Sequence, residues 1–153
     1  MPSFNIQTKI GASMPFVWSQ FNEALLKKIS PPFPQVNIQR FDGCSKGDLV
    51  ILEINLLFMK VIWSSEITYS HQDSNKSIFI DEGIKVPFGI NSWKHEHSII
   101  KTDESRCYIQ DFVTYKTSNV FLDIILFRFI SLVICKKTFY IISGNIKSLK
   151  FQI

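Results

Sequence analysis

The sequence has few of the residues on which common catalytic and binding motifs depend. Its 153 residues include 6 glycines, 3 cysteines and 3 histidines. The glycines form no phosphate-binding loop, and no Cys-x-x-Cys pair occurs. These absences argue against a P-loop nucleotide-binding protein and against a zinc ribbon or a thioredoxin-like protein.

Charge of either sign is also sparse. Charged residues make up 20% of the chain and the net charge is +4. The nearest approach to a basic stripe is a group of C-terminal lysines, which we interpret as a solvated helix face: Lys136, Lys137, Lys147 and Lys150. Nucleic-acid binding requires a stronger positive stripe, so we expect no nucleic-acid partner.

The cysteines and the N-terminus predict the cellular compartment. Cys44, Cys107 and Cys135 are odd in number and far apart, which favours free thiols in a reducing environment over a disulfide framework. The segment from Met1 to Ile10 lacks a basic start followed by an apolar run, so we expect no secretory leader and a cytoplasmic protein.

One stretch, Val120 to Ile142, has about the length of a membrane span. It is interrupted by charged side chains: Asp123, Arg128, Lys136 and Lys137. Each charge at the centre of a bilayer costs about 2.5–3.5 kcal/mol on insertion scales. We therefore expect no stable membrane insertion.

Aromatic and aliphatic residues are abundant. Hydrophobic residues make up 46% of the chain, and 14 of the residues are Phe. A chain of this length buries about 70% of the surface that its unfolded form exposes, so it can build a sizeable core. No repeat, linker or low-complexity tract divides it, and we expect one domain over residues 1–153.

The hydrophobic pattern predicts a strand, a helix and then a run of strands. Phe4 to Ile10 alternates, Ser13 and Pro15 are typical of a helix start, and the prolines from Pro31 end that helix. Six further segments alternate with a period near two: Val36 to Phe41, Asp48 to Phe58, Val61 to Tyr69, Ser77 to Asp81, Trp93 to Ile100 and Arg106 to Tyr115. Short polar turns between such strands indicate an antiparallel, curved meander.

The last apolar segment, Val120 to Leu149, predicts a long C-terminal helix. Its apolar residues recur at spacings of three and four, in a stripe wider than one contact face needs. The predicted fold is α+β: a curved antiparallel sheet of about six or seven strands wrapped around this helix, with a shorter helix after the first strand.

Polar residues on two neighbouring strands are predicted to face the interior. Strand alternation places His95 and His97 on the side of Trp93, and Asp111 on the side of Tyr115. Phe79 and Asp81 can join them. Three interpretations stay open: a satisfied hydrogen-bond network, a polar anchor in an apolar cavity, or a catalytic or metal site with Asp81 or Asp111. With so few histidines the metal signal is weak, and we assign no metal, no cofactor and no catalytic residue at this point.

The order of elements and several strings resemble the START-like, helix-grip superfamily, also called SRPBCC, and in particular its uncharacterised bacterial members. The resemblance covers essentially the whole chain. It rests on an ordered set of short strings: Ser30-Pro31-Pro32-Phe33-Pro34, Arg40-Phe41-Asp42-Gly43, Gly47-Asp48, Trp63, Phe79-Ile80-Asp81, Trp93-Lys94-His95-Glu96-His97 and Asp111-Phe112-Val113-Thr114-Tyr115.

The resemblance implies a cavity between the sheet and the C-terminal helix that holds hydrophobic molecules. Our leading hypothesis is therefore a non-catalytic protein that binds or transports a small hydrophobic or amphipathic, lipid-like molecule. We expect these residues to bind it: Phe58, Trp63, Phe88, Trp93, His95, His97, Asp111, Tyr115, Phe129 and Val133. The alternative is a cyclase or dehydratase that uses His95 or His97 with Asp81 or Asp111. The sequence predicts no oligomeric state.

Overall fold

A computed structural model of the chain describes residues 3–119 together with Phe121, Asp123, Ile124 and Phe127. The elements follow one another as β1 (Ser3–Ile10), α1 (Met14–Ser19), α2 (Glu23–Ile29), β2 (Gln35–Phe41), β3 (Leu49–Asn55), β4 (Lys60–Gln72), β5 (Lys76–Lys85), β6 (Ile90–Asp103) and β7 (Arg106–Thr117).

The seven strands form one curved antiparallel sheet in the order β1-β7-β6-β5-β4-β3-β2. Strands β2 to β7 make a meander in which each strand pairs with the next in sequence. The first strand pairs with the last, from Ser3 opposite Thr114 to Ile10 opposite Cys107. The predicted antiparallel sheet is therefore confirmed.

The strand bounds differ from the predicted ones at the ends. Strands β4, β5 and β6 are longer than the alternation indicates, because pairing continues beyond both ends of each alternating segment. Strand β3 is shorter: it ends at Asn55, and Leu57 has a φ of 70° in the turn that follows. Phe58 consequently lies in this turn rather than in a strand.

The helix predicted after β1 is divided into two short helices. Pro15 lies in the first turn of α1 as predicted, but Ser13, at the N-cap position, makes no side-chain capping bond. The helical conformation is interrupted between Gln20 and Asn22. The Oδ1 of Asn22 then accepts a hydrogen bond of 3.0 Å from the N–H of Leu25 and caps the start of α2. The break places Phe21 between the two helices.

The predicted C-terminal helix, Val120 to Leu149, lies largely outside the described residues. Its described members are helical, and two of them contact the sheet: the Asp123 carbonyl accepts a 2.9 Å hydrogen bond from the Tyr115 hydroxyl, and the Phe127 ring packs edge-on against Phe4 with centroids 5.5 Å apart. The predicted span to Ile142 is likewise mostly outside the described part. Within that part, no helix is long and apolar enough to cross a membrane.

Two hydrophobic clusters lie on the same side of the sheet, which we call the inner face. The helix-side cluster joins β1, β6 and β7 to α1: Ile10, Met14, Val17, Ile99, Cys107 and Ile109. The far cluster lies further along β6 and β7: Ile90, Trp93, Val113 and Tyr115. Alternation explains the shared face, because residues two apart on one strand point to the same side.

We expect Ile109→Ala to lower the free energy of unfolding by about 2–5 kcal/mol, because it removes buried methyl and methylene groups and leaves a cavity. Ile109 is 1% exposed in the helix-side cluster. Urea denaturation followed by circular dichroism measures the change.

The matched control is Ile84→Ala, the same chemical change at a residue of β5 that is 61% exposed. There the loss should stay below about 1 kcal/mol. Equal losses in the two variants would contradict the position of the core.

Candidate functional site

A buried polar group lies on the inner face between the two hydrophobic clusters. It consists of His95, His97 and Asp111, which we call the histidine–aspartate cluster. Strand β6 supplies both histidines, two residues apart, and β7 places Asp111 directly opposite His97. The side chains of His95, His97 and Asp111 are 10%, 14% and 1% exposed, so bulk water has little access to them.

The three side chains converge on one carboxylate oxygen. The Nε2 of His95 lies 3.1 Å from the Oδ1 of Asp111, and the Nδ1 of His97 lies 2.7 Å from the same atom. The two imidazole rings are tilted by 38° with centroids 3.6 Å apart. A ring N–H that donates to a carboxylate fixes the tautomer and the orientation of the imidazole. Asp111 therefore holds both histidines in defined positions.

Aromatic side chains surround the histidines. Phe79, opposite His97 on β5, stacks on that imidazole with centroids 4.3 Å apart, and Phe21 meets it edge-on at 5.9 Å. On the other side, the ring of Trp93 lies edge-on to the His95 imidazole, with centroids 5.9 Å apart. Trp63 in turn packs edge-on against Trp93, with centroids 5.1 Å apart. The cluster thus has a largely apolar and aromatic environment.

A second carboxyl group, that of Asp81, adjoins the cluster. Asp81 lies opposite His95 in the pairing of β5 with β6, and its Oδ2 accepts a 3.0 Å hydrogen bond from the indole N–H of Trp93. Burial raises the pKa of the Asp81 carboxyl above its usual value of 3.8, although hydrogen bonding from Ser65 and the nearby His95 act in the opposite direction. The site therefore contains one carboxyl group whose ionisation is opposed by its surroundings.

Strand alternation did not reveal three further residues, of which one contacts the cluster and two contact its neighbours. Phe21 contacts His97 only because the helix breaks there, and Ser65 reaches Asp81 from β4. The thiol of Cys44, in the β2–β3 connection, lies 3.6 Å from the Phe21 carbonyl oxygen. Burial, followed by the charges of Asp48 and Asp81, raises the pKa of the Cys44 thiol to about 12, so the thiol is neutral and weakly nucleophilic at physiological pH.

The β2–β3 connection also carries a Gly-x-Ser-x-Gly spacing, from Gly43 to Gly47. In serine hydrolases this spacing forms a sharp turn between a strand and a helix. Here it joins two antiparallel strands, Ser45 is exposed, and its N–H donates to the Oδ2 of Asp48. The segment is a turn and lacks the geometry of a nucleophile elbow.

The structure brings together some of the residues predicted to bind a ligand. Trp63, Trp93, His95, His97, Asp111 and Tyr115 share the inner face. The Tyr115 hydroxyl donates to the Asp123 carbonyl. Phe58 is 98% exposed in the β3–β4 turn and Phe88 is 37% exposed in the β5–β6 turn, so neither reaches the cluster. Phe129 and Val133 lie outside the described residues.

No family model and no curated protein matches the chain, but solved structures do. The Zhui aromatase/cyclase from Streptomyces sp. R1128 matches with a TM-score of 0.72 and 12% identity, over 97% of this chain and 96% of that one. Norcoclaurine synthase from Thalictrum flavum matches with a TM-score of 0.67 and 12% identity, over 99% and 89%. For Ara h 8.0201 the TM-score is 0.63 and the identity 10%, over 93% and 98%.

The curved seven-stranded sheet of this chain has the fold of these neighbours, and it is the sheet expected of a helix-grip fold. The resemblance seen in the sequence is thus confirmed at the level of the fold. Since the identities are so low, the likeness assigns no activity, and no sequence match supports the expected bacterial relatives.

We expect Asp81→Asn to remove a contribution that lowers the free energy of unfolding as pH rises. A carboxyl group with a raised pKa destabilises the folded state once it ionises, so its contribution to the free energy of unfolding falls as pH rises from its usual pKa through the folded value. The variant lacks this fall. Urea denaturation of both proteins between about pH 4 and about pH 7 tests it.

The control is Asp73→Asn. The N–H groups of Asn75 and Lys76 lower the pKa of the exposed Asp73 carboxyl, so its stabilisation is present above the usual pKa and is lost as pH falls. The two substitutions should therefore change the pH dependence in opposite directions. A shift in the same direction for both would contradict the assigned environment of Asp81.

Proposed function

We propose that the chain, acting as one domain, binds a small, largely apolar molecule against the inner face of its sheet. The polar end of the molecule lies at the histidine–aspartate cluster. The observation that carries the proposal is the burial of His95, His97 and Asp111 together between two hydrophobic clusters. A lipid-like amphipathic molecule is the class that this arrangement fits.

Energetics favour a binding role for such a cluster. Burial of Asp111 and two imidazoles requires hydrogen-bond partners for each of them, since a group left unpaired costs about 1–3 kcal/mol, and a core made of Ile, Val and Phe has no such requirement. Ligand sites, in contrast, typically combine apolar walls with a few convergent polar groups that orient the guest. Trp63, Trp93 and Phe79 supply such walls next to the cluster.

The segment beyond Val120 completes the proposed site. In this proposal the predicted C-terminal helix covers the inner face, with Phe129 and Val133 as part of the apolar wall. Asp123 contacts β7 and Phe127 contacts β1. These contacts support a helix that covers the inner face, because they bring the start of the segment onto that face beside the far cluster.

The structural neighbours support the proposal by analogy of fold. The norcoclaurine synthase was solved in complex with dopamine and hydroxybenzaldehyde, which are small aromatic molecules with polar ends. A protein of similar fold therefore binds guests of that kind.

We expect a long-chain fatty acid or a hydroxylated aromatic compound to change the tryptophan fluorescence on titration, because Trp63 and Trp93 adjoin the cluster. His97→Gln should weaken the binding of the same compound about tenfold, since a hydrogen bond to a buried polar group contributes about 1.4 kcal/mol. Native mass spectrometry of the freshly purified protein should show co-purified ligand.

The matched control is His71→Gln, which changes an exposed histidine at the far end of β4 and should leave affinity unchanged. The proposal fails if native mass spectrometry finds only the bare chain and no compound of the panel alters fluorescence or melting temperature. If folded His97→Gln binds the compound as tightly as the wild type, the proposed contact between the polar end of the molecule and the histidine–aspartate cluster is wrong.

A second candidate function is an acid–base enzyme of the cyclase or dehydratase type. One observation favours it: a carboxylate holds each of two imidazoles through a ring nitrogen, which is how a general base is oriented. His95 or His97 would remove a proton from the guest, while Asp111 or Asp81 would orient the imidazole.

For this second function we expect substitution of the histidine that acts as the base, His95→Gln or His97→Gln, to lower kcat by about 100-fold or more while the fluorescence titration still detects the guest, because general-base catalysis contributes about 10²–10⁴-fold. Consumption of a polyketide-like substrate, followed by mass spectrometry, measures it. Turnover that persists in the double variant would exclude both histidines from the chemistry.

A further inference from the structure

The histidine–aspartate cluster also has the composition of a metal-binding site. His95 and His97 each offer a ring nitrogen and Asp111 offers a carboxylate oxygen, and these three atoms lie within 4.8 Å of one another. Two imidazole nitrogens and one carboxylate oxygen are ligands that zinc and neighbouring divalent transition metals accept. The sequence pattern alone was too weak to assign this site.

The donor distances approach those of an assembled coordination shell. Tetrahedral bonds of about 2.0–2.2 Å place the ligand atoms about 3.3–3.6 Å apart. The His95–Asp111 and His97–Asp111 separations are 3.1 and 2.7 Å. A cation would widen the His95–Asp111 separation by about 0.2–0.5 Å and the His97–Asp111 separation by about 0.6–0.9 Å, and it would take the place of the ring protons that donate to the carboxylate. Rotations of the side chains would supply this widening.

The backbone holds the three ligands close together before any ion arrives. His95 and His97 alternate onto one face of β6, and the pairing of β6 with β7 fixes Asp111 opposite His97. Stacking of Phe79 on His97 and the edge contact of Trp93 with His95 restrict both rings. Neighbours that fix the orientation of ligating side chains strengthen metal binding.

From this geometry we propose that His95, His97 and Asp111 bind one divalent transition-metal ion of the zinc class. Three protein ligands leave at least one coordination position for water or for an oxygen of a guest, as in catalytic zinc sites rather than structural ones. Asp81 lies beside His95 as a second carboxyl group. The inference goes beyond the proposed function, because it holds whether or not an apolar molecule binds.

The test uses the untagged full chain, stripped with a chelator and then dialysed against Zn²⁺ or Co²⁺. We expect about one tightly held ion per chain by elemental analysis, a higher melting temperature with Zn²⁺, and visible absorption bands with Co²⁺. His97→Gln and Asp111→Asn each remove one ligand and should weaken Zn²⁺ binding at least about 100-fold, more than the 10–100-fold loss typical of a partner outside the coordination shell.

A matched control exists in the same chain. His71 and Asp73 form an exposed pair with an Nε2 to Oδ2 distance of 3.4 Å, and the double variant His71→Gln, Asp73→Asn should bind Zn²⁺ as the wild type does. Cys44→Ser should also bind normally, which excludes thiol ligation near the cluster.

Wild-type protein that retains no ion overturns the proposal, and this result needs no variant to fold. Cooperative unfolding shows that a variant is folded. The proposal is also overturned if His97→Gln and Asp111→Asn are folded by this criterion and still hold the ion, or if the double variant His71→Gln, Asp73→Asn loses binding. Since no organic ligand enters these measurements, their failure leaves the proposed binding of an apolar molecule as a separate question, and the reverse is also true.

Discussion

The pairing of β6 with β7 is the interaction on which the candidate site depends. Its register places Trp93 opposite Tyr115, His95 opposite Val113 and His97 opposite Asp111. A slip of β7 by one residue would turn Asp111, Val113 and Tyr115 to the other face, because the period of a strand is two. The ladder therefore fixes both the hydrophobic clusters and the polar group between them, and neither can be displaced without the other.

The position of the polar group between two hydrophobic clusters has an energetic consequence. Asp111 is 1% exposed, and its burial is tolerable because imidazole nitrogens lie at hydrogen-bond distance from it. Removing one partner would leave the others buried with fewer bonds, whereas an apolar core would avoid the problem altogether. The cluster thus makes the sheet more dependent on a particular arrangement of side chains than packing alone would require.

Strand alternation was sufficient to predict much of this site. It placed His95, His97 and Asp111 on one face, because each lies in a regular strand where side-chain direction follows residue number. Phe21 and Cys44 could not be found in this way, since one lies at a helix break and the other in a connection whose path no period describes. Phe58 was placed in a strand because its apolar neighbours continue the alternation of β3, but the chain turns after Asn55.

The same geometry limits what the inner face can do chemically. A hydrogen-bond network that fixes two imidazoles on one oxygen leaves them few orientations, and the aromatic rings of Phe79 and Trp93 reduce these further. Binding a polar group of a guest, removing a proton from it and holding a metal ion all need this kind of preorganisation, because ordering side chains at the moment of binding costs free energy. What distinguishes the three roles is the group that these side chains would meet: a guest oxygen, a reacting C–H bond or a cation. The fold fixes the position of the donors, and the occupant determines the chemistry.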